Sequence, residues 1–241
     1  MNAVELRGLR KQYGGKTAVD GLDLTIPAGE LFALLGVNGA GKTTTIKMLT
    51  GLTKPTAGDA LLGGHSVLRE TAEVKRITNA SPQETAVAPK LSVRENLELM
   101  AGVYGSRQAA ADAEEMLRRM ELGEVAEQRA QTLSGGWQRR LSIAMALISA
   151  PEILFLDEPT LGLDVLARRE LWKQIRALKG KMTVILTTHY MEEAEQLSDR
   201  VGIMASGRLI AVGTAAELTA RAGKASFEDA FVAWCSGEVE A

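Results

Sequence analysis

Nine residues, Gly36-Val37-Asn38-Gly39-Ala40-Gly41-Lys42-Thr43-Thr44, constrain this chain more than any other stretch. They match the spacing G-x-x-x-x-G-K-[ST] of a phosphate-binding loop. Before them, Leu31-Phe32-Ala33-Leu34-Leu35 reads as a short buried strand. After them, Thr44 to Leu49 reads as a helix stopped by Gly51. That context supplies the chemistry. Glycines let the backbone wrap closely around phosphate oxygens with its N–H groups turned inward. The helix N-terminus adds the positive end of its dipole at the same point. In such a loop the Lys42 ammonium reaches the β- and γ-phosphates of a nucleotide, and the Thr43 hydroxyl sits on Mg²⁺.

Length and composition narrow the class. The chain has 241 residues, 46% hydrophobic and 24% charged, which suits one domain with a subdomain. A net charge of −2 gives no nucleic-acid footprint, since such domains are usually strongly basic. Cys235 is the single cysteine, so no internal disulfide forms and a reducing compartment is expected. Met1 to Glu5 lack the basic and apolar pattern of a signal peptide. The longest apolar run, Leu141 to Ala150, is too short to cross a bilayer, so the chain is expected to be soluble.

Val4-Glu5-Leu6 and Leu22-Asp23-Leu24-Thr25-Ile26 have period-2 character and predict antiparallel strands. Tyr13 is placed in a loop upstream of the phosphate loop, where its ring can stack on a base. Asp59 to Leu62 and Ile77 to Ala80 read as further strands. His65 has no second histidine or cysteine nearby and reads as a surface residue.

From about residue 91 to 150 the pattern turns helical. Ser92-Val93-Arg94-Glu95 is a capping box, and Ala109 to Leu122 is a strong helix former. This block reads as a helical insert in an α/β core spanning about 1–90 and 151–212, followed by a helical tail over about 213–241. Arg118-Arg119 and Arg168-Arg169 read as solvated helix faces. Ser134 reads as the N-cap of a helix from Trp137 to Ser149. A cap followed by Gly135-Gly136 leaves N–H groups exposed at a dipole end, a second potential anion site.

Ile153-Leu154-Phe155-Leu156-Asp157 is apolar until its end, as a central parallel strand is. Asp157 and Glu158 therefore fall at the carboxyl end of the sheet, where doubly wound folds bind ligands. Asp157 is a candidate for Mg²⁺ and Glu158 for activating water. Leu161 to Asp164 form a tight turn before the next helix. Met182 to Thr188 is another buried strand, ending at His189 on the same edge. Alternating strands and helices predict a mostly parallel sheet.

The phosphate loop, Gln83, Leu133-Ser134-Gly135-Gly136, Asp157-Glu158, Asp164 and His189 stand in one order in one chain. This set resembles the nucleotide-binding subunit of ABC transporters over nearly the whole length. The resemblance implies a P-loop NTPase core, with an N-terminal antiparallel β subdomain and an inserted α-helical one. It implies that Tyr13 stacks on adenine. Gly36, Asn38, Gly39, Ala40, Gly41, Lys42, Thr43 and Thr44 hold the ATP phosphates. Thr43, Gln83 and Asp157 surround Mg²⁺. Glu158 is the general base, Gln83 senses the attacking water and His189 meets the γ-phosphate. Ser134, Gly135 and Gly136 act in trans on ATP held by a second ATP-binding subunit, identical or paralogous, with Asp164 at the shared interface. Trp137 stands where such signatures usually carry glutamine, and Val165 where proline is common.

Within the family, Glu158 to Asp164, Thr187 to Glu195 and Ser226 to Phe231 resemble the ABC-2 type drug and antibiotic exporters. That implies a separate transmembrane permease, docked near residues 84–104, and a place on the cytoplasmic face of the cell membrane. ATPases of iron–sulfur assembly or DNA maintenance are the alternatives, although no long heptad segment of the DNA-maintenance kind occurs.

Overall fold

In the computed structural model, which describes residues 1–239, the alternating first segment folds as a long hairpin. Strand β1 (Asn2–Tyr13) pairs antiparallel with β2 (Lys16–Pro27) across a turn at Gly14-Gly15. Val4, Leu6 and Leu9 on one strand and Val19, Leu22 and Ile26 on the other are buried together. Tyr13 is thus the last residue of β1, paired with Lys16, rather than a loop residue. After β3 (Leu31–Leu35) and α1 (Lys42–Leu49), strand β4 (Ala57–Leu62) joins the free edge of β1 and carries the short β5 (His65–Ser66).

Helix α2 (Thr71–Ile77) precedes β6 (Thr78–Ser81), so Ile77 ends a helix instead of opening a strand. Its signal was weak because the helix buries little beyond Val74. Helices α3 (Val93–Val103), α4 (Ala109–Arg119) and α5 (Gly135–Leu147) follow. Ser92 and Glu95 form both bonds of the capping box on α3. The chain then alternates: β7 (Ile153–Asp157), α6 (Val165–Arg176), β8 (Thr183–Thr188), α7 (Met191–Leu197), β9 (Arg200–Ala205) and β10 (Arg208–Gly213). It continues through α8 (Ala215–Arg221) and α9 (Phe227–Ser236), joined by Trp234 Nε1 donating to the Leu218 carbonyl at 3.2 Å. The last two residues of the expected tail, 240–241, lie outside the described residues.

The second sheet has the order β10-β9-β3-β8-β7-β6, with an antiparallel pair at β9–β10 and parallel pairs elsewhere. Strands β3, β7 and β8 are buried at every residue. Cover on both faces explains why they read as unbroken apolar or β-branched runs. Their register decides what happens next. Leu35 pairs with Thr188, and Asp157 pairs with Thr187. Three adjacent strands therefore end level with one another, and the segments that leave them start side by side.

Arg168 is half-buried rather than solvated. Its guanidinium lies 5.4 Å from the Trp172 ring and 6.0 Å from that of Tyr190, and reaches Glu192 at 3.4 Å. Arg118 and Arg119 are exposed. His65 is a half-exposed partner of Glu70, at 3.0 Å.

Candidate functional site

A cavity of 570 Å³ opens where β3, β7 and β8 end. Asn38, Gly39, Ala40, Gly41, Lys42, Thr43 and Thr44 form its floor, and Tyr13, Gln83, Glu158 and His189 stand in its walls. Gly36 lies just beneath, and a Cβ there would stand 2.4 Å from the Met204 carbonyl oxygen. Gly41 has φ +105°, and its Cβ would meet the Ala18 carbonyl at 2.5 Å. Both positions therefore require glycine.

The charges in the cavity are held by one another. Lys42 Nζ lies 3.2 Å from Glu158 Oε1 and donates to the Gly36 carbonyl at 2.7 Å. His189 Nδ1 lies 2.6 Å from Glu158 Oε2. A carboxylate only accepts, so the shared proton sits on Nδ1 and Nε2 is left for another partner. Thr43 Oγ1 donates to Asp157 Oδ1 at 3.1 Å, and Thr187 Oγ1 donates to the same oxygen at 2.5 Å.

Asp157 and Glu158 diverge for a backbone reason. Asp157 ends β7 in extended conformation, whereas Glu158 takes the left-handed φ of +50°, uncommon for a side chain of its size. Its N–H donates to the Thr187 carbonyl at 3.2 Å and hydroxyl at 3.0 Å, which keep the turn in place. The turn aims Glu158 at Lys42 while Asp157 stays on Thr43. Backbone strain of this kind clusters at functional sites.

Ser134, Gly135, Gly136 and Asp164 do not line this cavity. Ser134 sits at the N-cap position of α5 with extended backbone, but its hydroxyl makes no cap bond, contrary to the expected cap. Ser134 and Gly135 are exposed. Asp164 caps α6 by accepting from the Leu166 and Ala167 N–H groups at 2.9 and 3.0 Å. The two helix starts abut: a Cβ on Gly136 would lie 3.0 Å from that of Ala167. Trp137 rests under Arg140, 4.6 Å from its guanidinium, and Gln138 turns inward to the Ala130 and Leu133 carbonyls.

The family profile described as ABC transporter matches residues 19–161. The chain belongs to the ABC transporter family. The daunorubicin resistance ATP-binding protein DrrA3 of Streptomyces coeruleorubidus is 45% identical over 92% of this chain and 71% of its own length. The linearmycin resistance ATP-binding protein LnrL of Bacillus subtilis is 42% identical over 91% of this chain and 72% of its own. A solved ATP-binding subunit of an ABC transporter superposes with a TM-score of 0.84 at 29% identity, covering 96% of this chain and 99% of that one. An ATP-binding cassette solved as a dimer in a post-hydrolysis state with ADP and Pi gives 0.79 at 26% identity, covering 88% and 98%. This ABC chain is accordingly an ATP-binding, ATP-hydrolysing subunit with the mixed α/β architecture of its family, and transport is favoured over assembly or DNA maintenance.

Sequence reasoning missed several residues of the ABC site. Lys16 and Ala18 line the cavity beside Tyr13. Thr187 braces both Asp157 and Glu158. Arg139, 5% exposed, reaches carbonyls of the Gln83 segment. The pair Arg139-Arg140 ahead of the apolar run Leu141 to Leu147 was the available signal, because charge on a buried helix needs a partner, but the pair does not say which of the two is buried. Glu193, fully buried, accepts from Thr160 Oγ1 at 2.8 Å and Trp172 Nε1 at 3.0 Å, and burial raises its pKa.

Proposed function

We propose that this ABC subunit powers export of a drug-like or antibiotic-like compound through a separate ABC-2 type permease, from the cytoplasmic face of the membrane. The resistance ATP-binding proteins it resembles support the export assignment. Among the described residues no helix is long and apolar enough to cross a membrane. The apolar side chains Leu99, Val103 and Tyr104 stand exposed on and just after α3. They support a permease contact within residues 84–104.

The observation that carries the catalytic reading is the convergence of Lys42, Glu158 and His189 within hydrogen-bond reach at one sheet edge. Tyr13 takes the adenine and residues 36–44 the phosphates. Lys42 pairs with Glu158 in the structure, and a triphosphate offers its ammonium a more highly charged partner. Transfer of Lys42 to the phosphates frees Glu158 to accept a proton from water. Water oxygen then bonds to the γ-phosphorus, the bond to the β–γ bridging oxygen breaks, and ADP and phosphate leave. His189 Nε2 faces the transferred group, held in that tautomer by Glu158.

Thr43 and Asp157, which touch one another, and the amide oxygen of Gln83 across the cavity would suit a hard divalent cation such as Mg²⁺. Such an ion would neutralise charge developing on the phosphates. Ser134, Gly135 and Gly136 serve the ATP of a second subunit, head to tail, with Asp164 at the contact. Exclusion of water by that second surface strengthens every interaction in the site. ATP thus closes the pair and hydrolysis releases it.

Affinity purification from native membranes tests the assignment. A polytopic membrane protein should co-purify, and the pure subunit should hydrolyse ATP only with Mg²⁺. Recovery solely with cytosolic partners sinks the transport reading. Cysteine at Val87 or Tyr104 should cross-link to that permease, whereas cross-links confined to the tail after Gly213 would count against the docking site.

A further inference from the structure

Arg139 lies within α5, five residues beyond Ser134. Its buried guanidinium donates to the Pro82 and Gln83 carbonyls, each at 2.6 Å, and approaches the Glu158 carbonyl at 3.5 Å. Burying a guanidinium is costly, and desolvation lowers its pKa while Asp157 and Glu193 act in the opposite direction. An apolar side chain would fill such a place at less cost. What the arginine adds is geometry: a planar fork with several donors in fixed directions.

The carbonyls it gathers belong to two irregular segments. Residues 82–83 leave β6, and Glu158 leaves β7, the strand paired beside it. Those segments carry Gln83 and Glu158, the groups assigned to the attacking water. Neither is held by a strand ladder, and Glu158 sits in a left-handed turn. The third body is α5 itself, whose start presents Ser134 and Gly135 outward.

We propose that Arg139 is a positioning residue that locks Gln83 and Glu158 to one another and to the start of α5. It touches neither phosphate nor water. Seating of α5 against a second subunit and alignment of the water-activating pair then become one movement. This rests on the proposed function, because it assumes that Glu158 and Gln83 act on water and that α5 meets the other subunit.

Steady-state ATP hydrolysis by Arg139→Lys and Arg139→Met provides the test, with thermal unfolding as a control. Lysine keeps the charge but cannot span two carbonyls. Misplacing a catalytic group by about 1 Å costs up to 10²-fold, so kcat should fall about 10- to 100-fold in Arg139→Lys. KM for ATP should stay at the wild-type value, since Arg139 does not line the cavity of the phosphate loop, and the unfolding midpoint reports whether each variant is folded at the assay temperature. Combined with Gln83→Ala, the loss from Arg139→Lys should shrink, because both act through one group. Wild-type kcat in a folded Arg139→Lys protein overturns the proposal. So does a KM that rises in step with the loss of kcat, or a loss that multiplies fully with Gln83→Ala. Arg139→Met shows whether charge alone matters; equal loss in both variants supports the fork, and Arg139→Lys remains the test if Arg139→Met fails to fold. A wild-type protein without Mg²⁺-dependent turnover would instead sink the functional reading.

Discussion

At the start of α1, Lys42 is 5% exposed and bonded to the Gly36 carbonyl and Glu158, while Thr43 is tied to Asp157. At the start of α5, Ser134 and Gly135 are exposed, and the serine hydroxyl makes no cap bond. Both helices open with free N–H groups and a positive dipole end, and both follow glycine or precede it. The first is enclosed by a cavity whose charged groups already hold each other. The second lies beside the start of α6 with Ser134 and Gly135 exposed. A helix start normally satisfies its donors with the cap side chain, at a cost of about 1 kcal/mol if that is lost. Leaving Ser134 unbonded forgoes that stabilisation, as is reasonable where the hydroxyl has another use. The contrast supports a site completed by a second chain.

Removing the first half should have the largest effect. Lys42→Ala deletes the buried ammonium at the cavity floor that Glu158 and the Gly36 carbonyl share. ATP binding should be lost, measured by equilibrium titration with a fluorescent ATP analogue. Unchanged affinity would mean that nucleotide binds elsewhere and that the enclosed helix start is merely structural.

Glu158→Gln should come next. Glutamine keeps size and hydrogen bonding but takes no proton, so turnover should fall by about 10²–10⁴-fold, the usual worth of a general base. Binding should survive, and loss of a negative charge near the γ-phosphate should favour an ATP-bound dimer. Size-exclusion chromatography with and without ATP, paired with phosphate release, decides it. Wild-type turnover, or a monomer at saturating ATP that hydrolyses nothing, removes Glu158 from the role.

These two halves were unequally legible. Contiguous signals carried well: the glycine spacing of 36–41, the apolar runs of β3 and β7, and the Ser92–Glu95 box all follow from local rules. Signals that depend on neighbours in space did not. Gln83 could be ordered along the chain, but Arg139, which holds its backbone, is distant in sequence and looks like an ordinary helix charge. The left-handed turn at Glu158 is invisible beforehand, because it exists only once Thr187 on the next strand braces it. Arg168 read as solvated since its aromatic partners, Trp172 and Tyr190, come together through α6 and α7. Ser134 carried the right residue for a cap, yet its hydroxyl makes no cap bond in the folded chain.

Ser134→Ala probes the outward half and should cost less. A hydrogen bond to a charged group is worth about 1.5–3 kcal/mol, so the ATP-dependent dimer should weaken by roughly that much per site. ATP binding to the isolated subunit should not change, since Ser134 is absent from the cavity wall. Sedimentation of the Glu158→Gln protein with and without Ser134→Ala measures the dimer constant. Equal dimer constants would make the two helix starts alike after all, with Ser134 an idle surface residue.

The smallest effects belong to the outer wall of the cavity. The Tyr13 ring is 49% exposed, with the Lys11 ammonium 4.9 Å from its centroid. Lys11 also donates to the Lys54 carbonyl at 2.7 Å, which anchors it. Tyr13 lines the cavity and Lys11 does not, so the cation backs the ring from outside the cavity. Tyr13→Ala should weaken ATP by about 1–3 kcal/mol, the range for a base stacked on an aromatic ring. Tyr13→Phe should be nearly silent, because stacking needs the ring and not the hydroxyl. Lys11→Met removes a cation–π contact worth about 0.5–1 kcal/mol at an exposed site, and affinity should fall by no more than that as the ring loosens. Nucleotide titrations of the three variants separate the possibilities. Equal losses in Tyr13→Ala and Tyr13→Phe would point to a hydroxyl contact. A Lys11→Met loss that persists in the Tyr13→Ala background would mean that Lys11 acts on the nucleotide itself and not through the ring.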